Sequence, residues 1–257
     1  MSAVALRGPV RLVVRQHRLV LWISGALALT GIALVIGAWW FTSASADDFA
    51  GTGCSAQHVV AGCGIQVRHF LSIELYYSRL LGYAGLVMTA LPALIGLYVA
   101  GPLIGRELED GTYRLSWTQS VSPARWLAAK LAVPGALTVA GVAVLSAVYA
   151  WGWSRGNETN YPAQSSEPLV YGAMGPVPVA AALLGVALGA LVALLVRRTL
   201  PSMALTVAVS LALTVAREAV RPGGHFWPLQ LLETGILLVL AAAATALAFR
   251  VLRRYHA

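Results

Sequence analysis

The chain has 257 residues, 58% of them hydrophobic and 11% charged, with a mean hydropathy of +0.74. This excludes an ordinary soluble domain, because the apolar residues collect into runs of seventeen or more instead of spreading at helix or strand periods. The net charge of +8 comes from basic residues scattered between those runs, which argues against a nucleic-acid surface. The expected class is an all-α polytopic membrane protein, a single transmembrane domain over residues 1–257.

Residues 1–18 carry Arg7, Arg11, Arg15 and Arg18 on one helical face, with Val10, Leu12, Val13 and Val14 available to lipid. The pattern fits an interfacial amphipathic helix, or alternatively a basic tail obeying the positive-inside rule. The first span covers 19–41 and closes on Trp39-Trp40. Ala44-Ser45-Ala46 resembles a signal-peptide cleavage site, but the apolar run before it is too long for an h-region, so the segment is kept as a helix. Thr42 to Ser78 reads as a polar loop. Its Cys54 and Cys63 are too few and too far apart for a zinc site, even with His58 and His69 nearby, so they form a disulfide or remain two thiols. Gln66 to Tyr77 is amphipathic and expected to lie on the surface, where Glu74 could pair with Arg79. The second span, 80–104, contains Pro92 and the small residues Gly82, Gly85 and Gly101, with Gly105 just beyond, so a kink and close helix packing are expected.

The stretch from Gly105 to Lys130 is the main charged interruption. Its helix is expected to end at Asp110 before Gly111, and Thr112 then caps a short surface helix from Tyr113 to about Gln119, with Tyr113 and Trp117 at i and i+4 and Arg114 beside them. Ser122-Pro123 starts the next helix. The run Arg106-Glu107-Leu108-Glu109-Asp110-Gly111-Thr112, then Trp117-Thr118-Gln119-Ser120-Val121-Ser122, then Arg125-Trp126 and Lys130, resembles the loop between helices two and three of ABC-2 type exporter permeases. The resemblance implies an amino-terminal elbow helix and a coupling helix seated in a groove of a separate ATP-binding subunit. It also implies ATP and magnesium in that subunit and a homodimer or pseudo-dimer of permeases. Partner contact falls by resemblance on Arg106, Glu107, Glu109, Asp110, Gly111, Thr112, Tyr113, Arg114, Trp117 and Gln119. Read without the resemblance, the same stretch is also compatible with a solvated loop carrying an interfacial tryptophan.

The remaining spans are 127–153, 177–196, 200–216 and 231–249. Gly185 and Gly189 form a GxxxG face in the fourth, and Arg197-Arg198 makes a tight turn into the fifth. Between the last two spans the family pattern has re-entrant helices, and Arg217 to Gln230 leaves room only for a short version around Pro222-Gly223-Gly224. Glu233 is the one acidic residue well inside an apolar run. It is a candidate intramembrane polar site, or a partner of Arg217 or Arg221. Thirteen of the 18 basic residues fall on the amino-terminal side of the spans and five on the other, so both termini are expected to be cytoplasmic in a plasma-membrane protein.

No GxxxxGK[ST], HExxH or GxSxG motif and no Cys/His ligand set occurs, so neither catalysis, a bound metal nor a cofactor is expected in this chain. Together these features point to the permease subunit of an exporter of an amphipathic drug, lipid or peptide. The alternative is a structural or immunity-type membrane protein that transports nothing.

Overall fold

The computed structural model describes residues 18–58, 60–113, 122–221 and 225–254. The expected amino-terminal amphipathic helix, most of the Tyr113 to Gln119 helix and the Pro222-Gly223-Gly224 turn lie outside these residues. The elements in chain order are α1 (Arg18–Ala50), α2 (Gly64–Tyr98), a π-helical turn (Val99–Gly105), α3 (Arg106–Glu109), α4 (Pro123–Gly156), α5 (Pro168–Ala173), α6 (Val177–Val196), α7 (Thr199–Val220) and α8 (Phe226–Arg254). No strand occurs among the described residues. Among the described residues six helices are long and apolar enough to cross a membrane, the second being the continuous rod Gly64–Glu109. The chain is therefore a multi-pass, all-α membrane protein.

The helices overrun the apolar stretches. Thr42 to Ala50 and Gly64 to Ser78, read from sequence as loop, are helical, which corrects the first polar loop to about 51–63. Thr42, Ser43 and Ser45 donate their hydroxyls to carbonyls three or four residues back, so they continue the helix instead of breaking it. At 33 residues α1 is about 50 Å long, well beyond a hydrocarbon core of about 30 Å. Gln66 to Tyr77 is likewise the first part of α2 and not a separate surface segment.

The chain divides into two compact units. One consists of residues 25–89 and 144–175. There Tyr77 donates to the Gly152 carbonyl at 2.8 Å, and Val35, Tyr77 and Leu81 form a small core to which Gly152 offers bare backbone, a Cβ there meeting Val35 at 2.8 Å. Phe49 stacks on Phe70 with ring centroids 4.4 Å apart, and a disulfide joins Cys54 to Cys63 across the loop. Glu74 is buried and does not pair with Arg79. Its carboxylate accepts from the Asn160 side chain at 2.8 Å and the Asn160 amide at 3.2 Å, which keeps a buried charge hydrogen-bonded.

The other unit holds the described parts of 1–24, 90–143 and 176–257. Its axis is α6, the most buried of the six spans, which packs on α8, α7 and the π turn. Gly185 and Gly189 make this possible. A Cβ on Gly185 would stand 2.2 Å from the Pro92 carbonyl oxygen, and one on Gly189 would stand 2.4 Å from that of Gly96, so α2 and α6 meet backbone to backbone. Val177, Ala181, Leu184, Leu237, Ala241 and Ala244 fill the α6–α8 contact, and the buried Gln230 accepts from the Val177 amide at the start of α6.

Because the obstacle at Gly189 is backbone and cannot rotate away, Gly189→Val is expected to cost at least the ~1–3 kcal/mol of an overpacked core. Gly141→Ala, where a Cβ meets nothing within 4 Å, is expected to keep or raise stability. Thermal unfolding of the two detergent-purified variants checks the contrast, and equal midpoints would contradict the close contact.

Candidate functional site

The polar stretch after the second span is held by the way that span ends. Pro102 has no amide hydrogen and its ring crowds the carbonyl four residues back, at Tyr98. The backbone widens into the π turn Val99–Gly105, closed by the Arg106 amide on the Gly101 carbonyl. Gly105 is required there, since a Cβ would lie 2.3 Å from the Ala100 carbonyl oxygen. The buried Ser202 hydroxyl, on α7, lies 3.0 Å from that same oxygen and 2.8 Å from the Thr199 carbonyl, so its one proton serves either.

The turn delivers α3 at a fixed angle to α4. Lys130, the only lysine in the chain, is almost wholly buried about two turns into α4. Its ammonium donates to the Leu103 carbonyl at 2.8 Å and to Glu107 Oε1 at 2.6 Å. Trp126 Nε1 donates to Glu107 Oε2 at 3.2 Å, and its ring lies 5.7 Å from the Lys130 ammonium. Glu107 is thus turned inward with both oxygens occupied. Beneath it Leu103, Ile104, Trp126, Leu127, Ala190 and Leu194 form a dry core, against which Leu108 and Tyr113 pack. A charge pair in such surroundings is tolerated because each group is matched and hydrogen-bonded.

The neighbouring charges face the other way. Arg106 and Asp110 pair at 3.6 Å while remaining largely exposed, at 76% and 56% of their side-chain surface. Glu109 accepts from the Thr199 amide at 2.8 Å, bridging to the first turn of α7. α3 ends at Asp110, Gly111 takes the left-handed conformation at φ +70°, and the Thr112 hydroxyl reaches back to the Glu107 carbonyl at 3.5 Å. On the far side of the loop Ser122 accepts from the Arg125 amide at 3.4 Å, capping α4 ahead of Pro123. Arg114, Trp117 and Gln119 lie outside the described residues.

Of the residues singled out by sequence, Arg106, Glu107, Glu109, Asp110, Gly111, Thr112 and Tyr113 come together in one short segment. Trp126 and Lys130, part of the motif but not of the expected contact set, fix that segment together with Thr199 and Ser202, which the sequence reading did not single out. Trp126 and Lys130 stand at i and i+4 on one face of α4, a spacing from which a shared partner could have been read. Glu233 sits apart, paired with Arg217 and with Arg221 at 4.0 Å, while Arg221 also meets Glu218 at 2.6 Å.

A search among protein families matches residues 24–221 to the family described as ABC-2 membrane transporter related. The chain belongs to this family. No curated protein and no solved structure matches it significantly. As an ABC-2 family member it is a permease, a membrane subunit of an ABC-type system, and the family implies an ATP-binding partner. The match runs across α3, the following loop and the start of α4, so the fixed segment belongs to the part of the chain that carries the ABC-2 signal.

Removing one member of the buried pair leaves the other charged and unmatched, so Lys130→Met and Glu107→Gln are each expected to lose ~3–5 kcal/mol. The double variant is expected to recover most of that loss. A double-mutant cycle on thermal midpoints measures it, and additive losses would contradict direct coupling.

Proposed function

We propose that the chain is the transmembrane subunit of an ABC exporter, coupling ATP hydrolysis in a separate ATP-binding subunit to export of an amphipathic drug, lipid or peptide. The observation that carries this reading is the tie from Glu107 to Lys130 and Leu103. It clamps the polar loop to both flanking spans, so force applied to the loop is not dissipated in side-chain motion. A loop that was merely solvated would gain nothing from burying a lysine to anchor it.

In this reading the Arg-rich ends and the loop are cytoplasmic, as the distribution of the basic residues supports. The Tyr113 to Gln119 segment lies in a groove of the ATP-binding subunit. Arg106 and Asp110 are exposed enough to add rim contacts, and Glu109 ties the loop to α7. Glu107 belongs to the anchor and not to the contact surface. The ATP-binding subunit favours one permease state only through different contacts in the two states, so the loop has to meet it differently in each. ATP and magnesium bind in that subunit. Hardly any of α1 is buried within the chain, which supports a second permease copy or lipid against it.

The test is co-purification of the chain with its ATP-binding subunit and measurement of ATPase rate. Trp117→Ala and Arg106→Ala/Asp110→Ala are expected to lose the complex or most of the stimulated hydrolysis while still inserting in the membrane. Wild-type behaviour of all of them, or no associated ATP-binding subunit, would favour a structural or immunity-type protein. The orientation has its own check. After mild reduction, Cys54 and Cys63 are expected to react in intact cells with a membrane-impermeant maleimide, and protection would reverse the assigned sidedness.

A further inference from the structure

α8 presents two faces of different character. Leu237, Ala241, Ala244, Ala248 and Leu252 recur at three- and four-residue steps and are buried, the last two in the core that lies beneath Glu107 and Lys130. On the opposite face Leu232, Ile236, Val239, Ala243 and Leu247 recur at the same steps and are exposed. That stripe runs without a break into Arg250 and Arg254, which are exposed as well. From Leu232 to Arg250 the helix rises about 27 Å, close to the hydrocarbon thickness of about 30 Å, so the two guanidinium groups arrive at the depth of lipid phosphates.

Among the described residues no acid at this end of α6, α7 and α8 offsets these charges. Glu218 and Glu233, the one acid of α7 and the one of α8, stand at the other end of their helices, and α6 carries none. The acids of α3 are engaged elsewhere, Glu107 with Lys130, Glu109 with the Thr199 amide and Asp110 with Arg106. Arg250, Arg253 and Arg254 make no ion pair among the described residues. Arg197 and Arg198, where α6 closes, bring two further positive charges to the same end.

We propose that this face of α8 binds an anionic phospholipid, with an acyl chain along Val239, Ala243 and Leu247 and the phosphate between Arg250 and Arg254. The two arginines are one turn apart, about 6 Å along the axis, so one phosphate accepts from both. A zwitterionic headgroup would carry its own ammonium into this excess of positive charge, which favours a lipid of net negative charge. A second copy of the chain suits the face less well. Two copies in one membrane run the same way, so an isologous contact here would set two pairs of arginines against each other with no acid between them. None of these residues belongs to the polar loop, and the proposal stands apart from the coupling reading.

The full chain in neutral detergent is titrated with phosphatidylglycerol and with phosphatidylcholine, bound lipid being counted by native mass spectrometry while the thermal midpoint is followed. Phosphatidylglycerol is expected to bind saturably and to raise the midpoint, as a ligand of the folded state does. Phosphatidylcholine is expected to bind about tenfold more weakly. Arg250→Gln/Arg254→Gln is expected to weaken phosphatidylglycerol about 25-fold, at about fivefold for each arginine facing an anionic headgroup. The lipid-free midpoint is expected to stay unchanged, because both side chains are exposed and in no ion pair. Arg68→Gln, near the start of α2 and likewise exposed, is expected to bind as wild type. Full binding by the double variant, equal binding of phosphatidylcholine, or displacement of the lipid by inorganic phosphate would overturn the proposal, the last by making the site one for a free anion. Disulfide-linked dimers of Val239→Cys in phosphatidylglycerol nanodiscs would overturn it too, by giving the face to a second copy.

Discussion

An ammonium ion placed about two turns inside an apolar helix has no water to solvate it, and the architecture around the polar loop answers that one constraint. Lys130 draws the Glu107 carboxylate inward and takes the Leu103 carbonyl as a second acceptor. For Glu107 to reach it, α3 must leave the second span at a set angle, which the π turn provides. For that turn to exist, Pro102 must displace the regular ladder, Gly105 must lack a Cβ, and Ser202 must lie against the Ala100 carbonyl. The loop is therefore positioned by a buried electrostatic requirement, with the helix geometry adjusted to meet it.

The energetic logic resembles that of buried pairs generally. Such a pair adds little net stability over an apolar replacement, but losing one member is costly. What it supplies is a unique geometry. A greasy contact between α3 and α4 would tolerate several registers, whereas a carboxylate, an ammonium and an indole N–H within hydrogen-bond reach admit one. For a segment proposed to pass a displacement from one subunit to the next, uniqueness matters more than a further kilocalorie of stability. The Glu109 bridge to Thr199 extends the same device to α7.

Much of this was legible in the sequence, and the limits have physical causes. Spans such as 177–196 are read from hydropathy alone, because burial in lipid and in protein both demand an unbroken apolar run. Their true ends are not, because a helix does not stop where the membrane does. Thr42, Ser43 and Ser45 look like loop residues but bond back to their own helix, and Gln66 to Tyr77 is simply α2 continued. Gly111 at the end of α3 and Ser122-Pro123 at the start of α4 could be read because caps are local. The Glu107–Lys130 pair could not, since its members lie 23 positions apart and only the fold places them together. Glu74 shows the same limit, its neighbour Arg79 being the obvious partner and Asn160 the actual one.

The contact of Gly185 and Gly189 on the Pro92 and Gly96 carbonyls bears on how movement would spread. Two helices that interlock through long side chains can slip by letting those chains change rotamer. Here the touching atoms are main chain on both sides, and a slip of a single residue would drive Leu184 or Val186 into a carbonyl oxygen. The joint is keyed, like a shaft in its slot. The part of the second span from Pro92 onward and α6 are thereby keyed to travel as one body, so a displacement of the polar loop, in the proposed reading, would reach α6 in the same register.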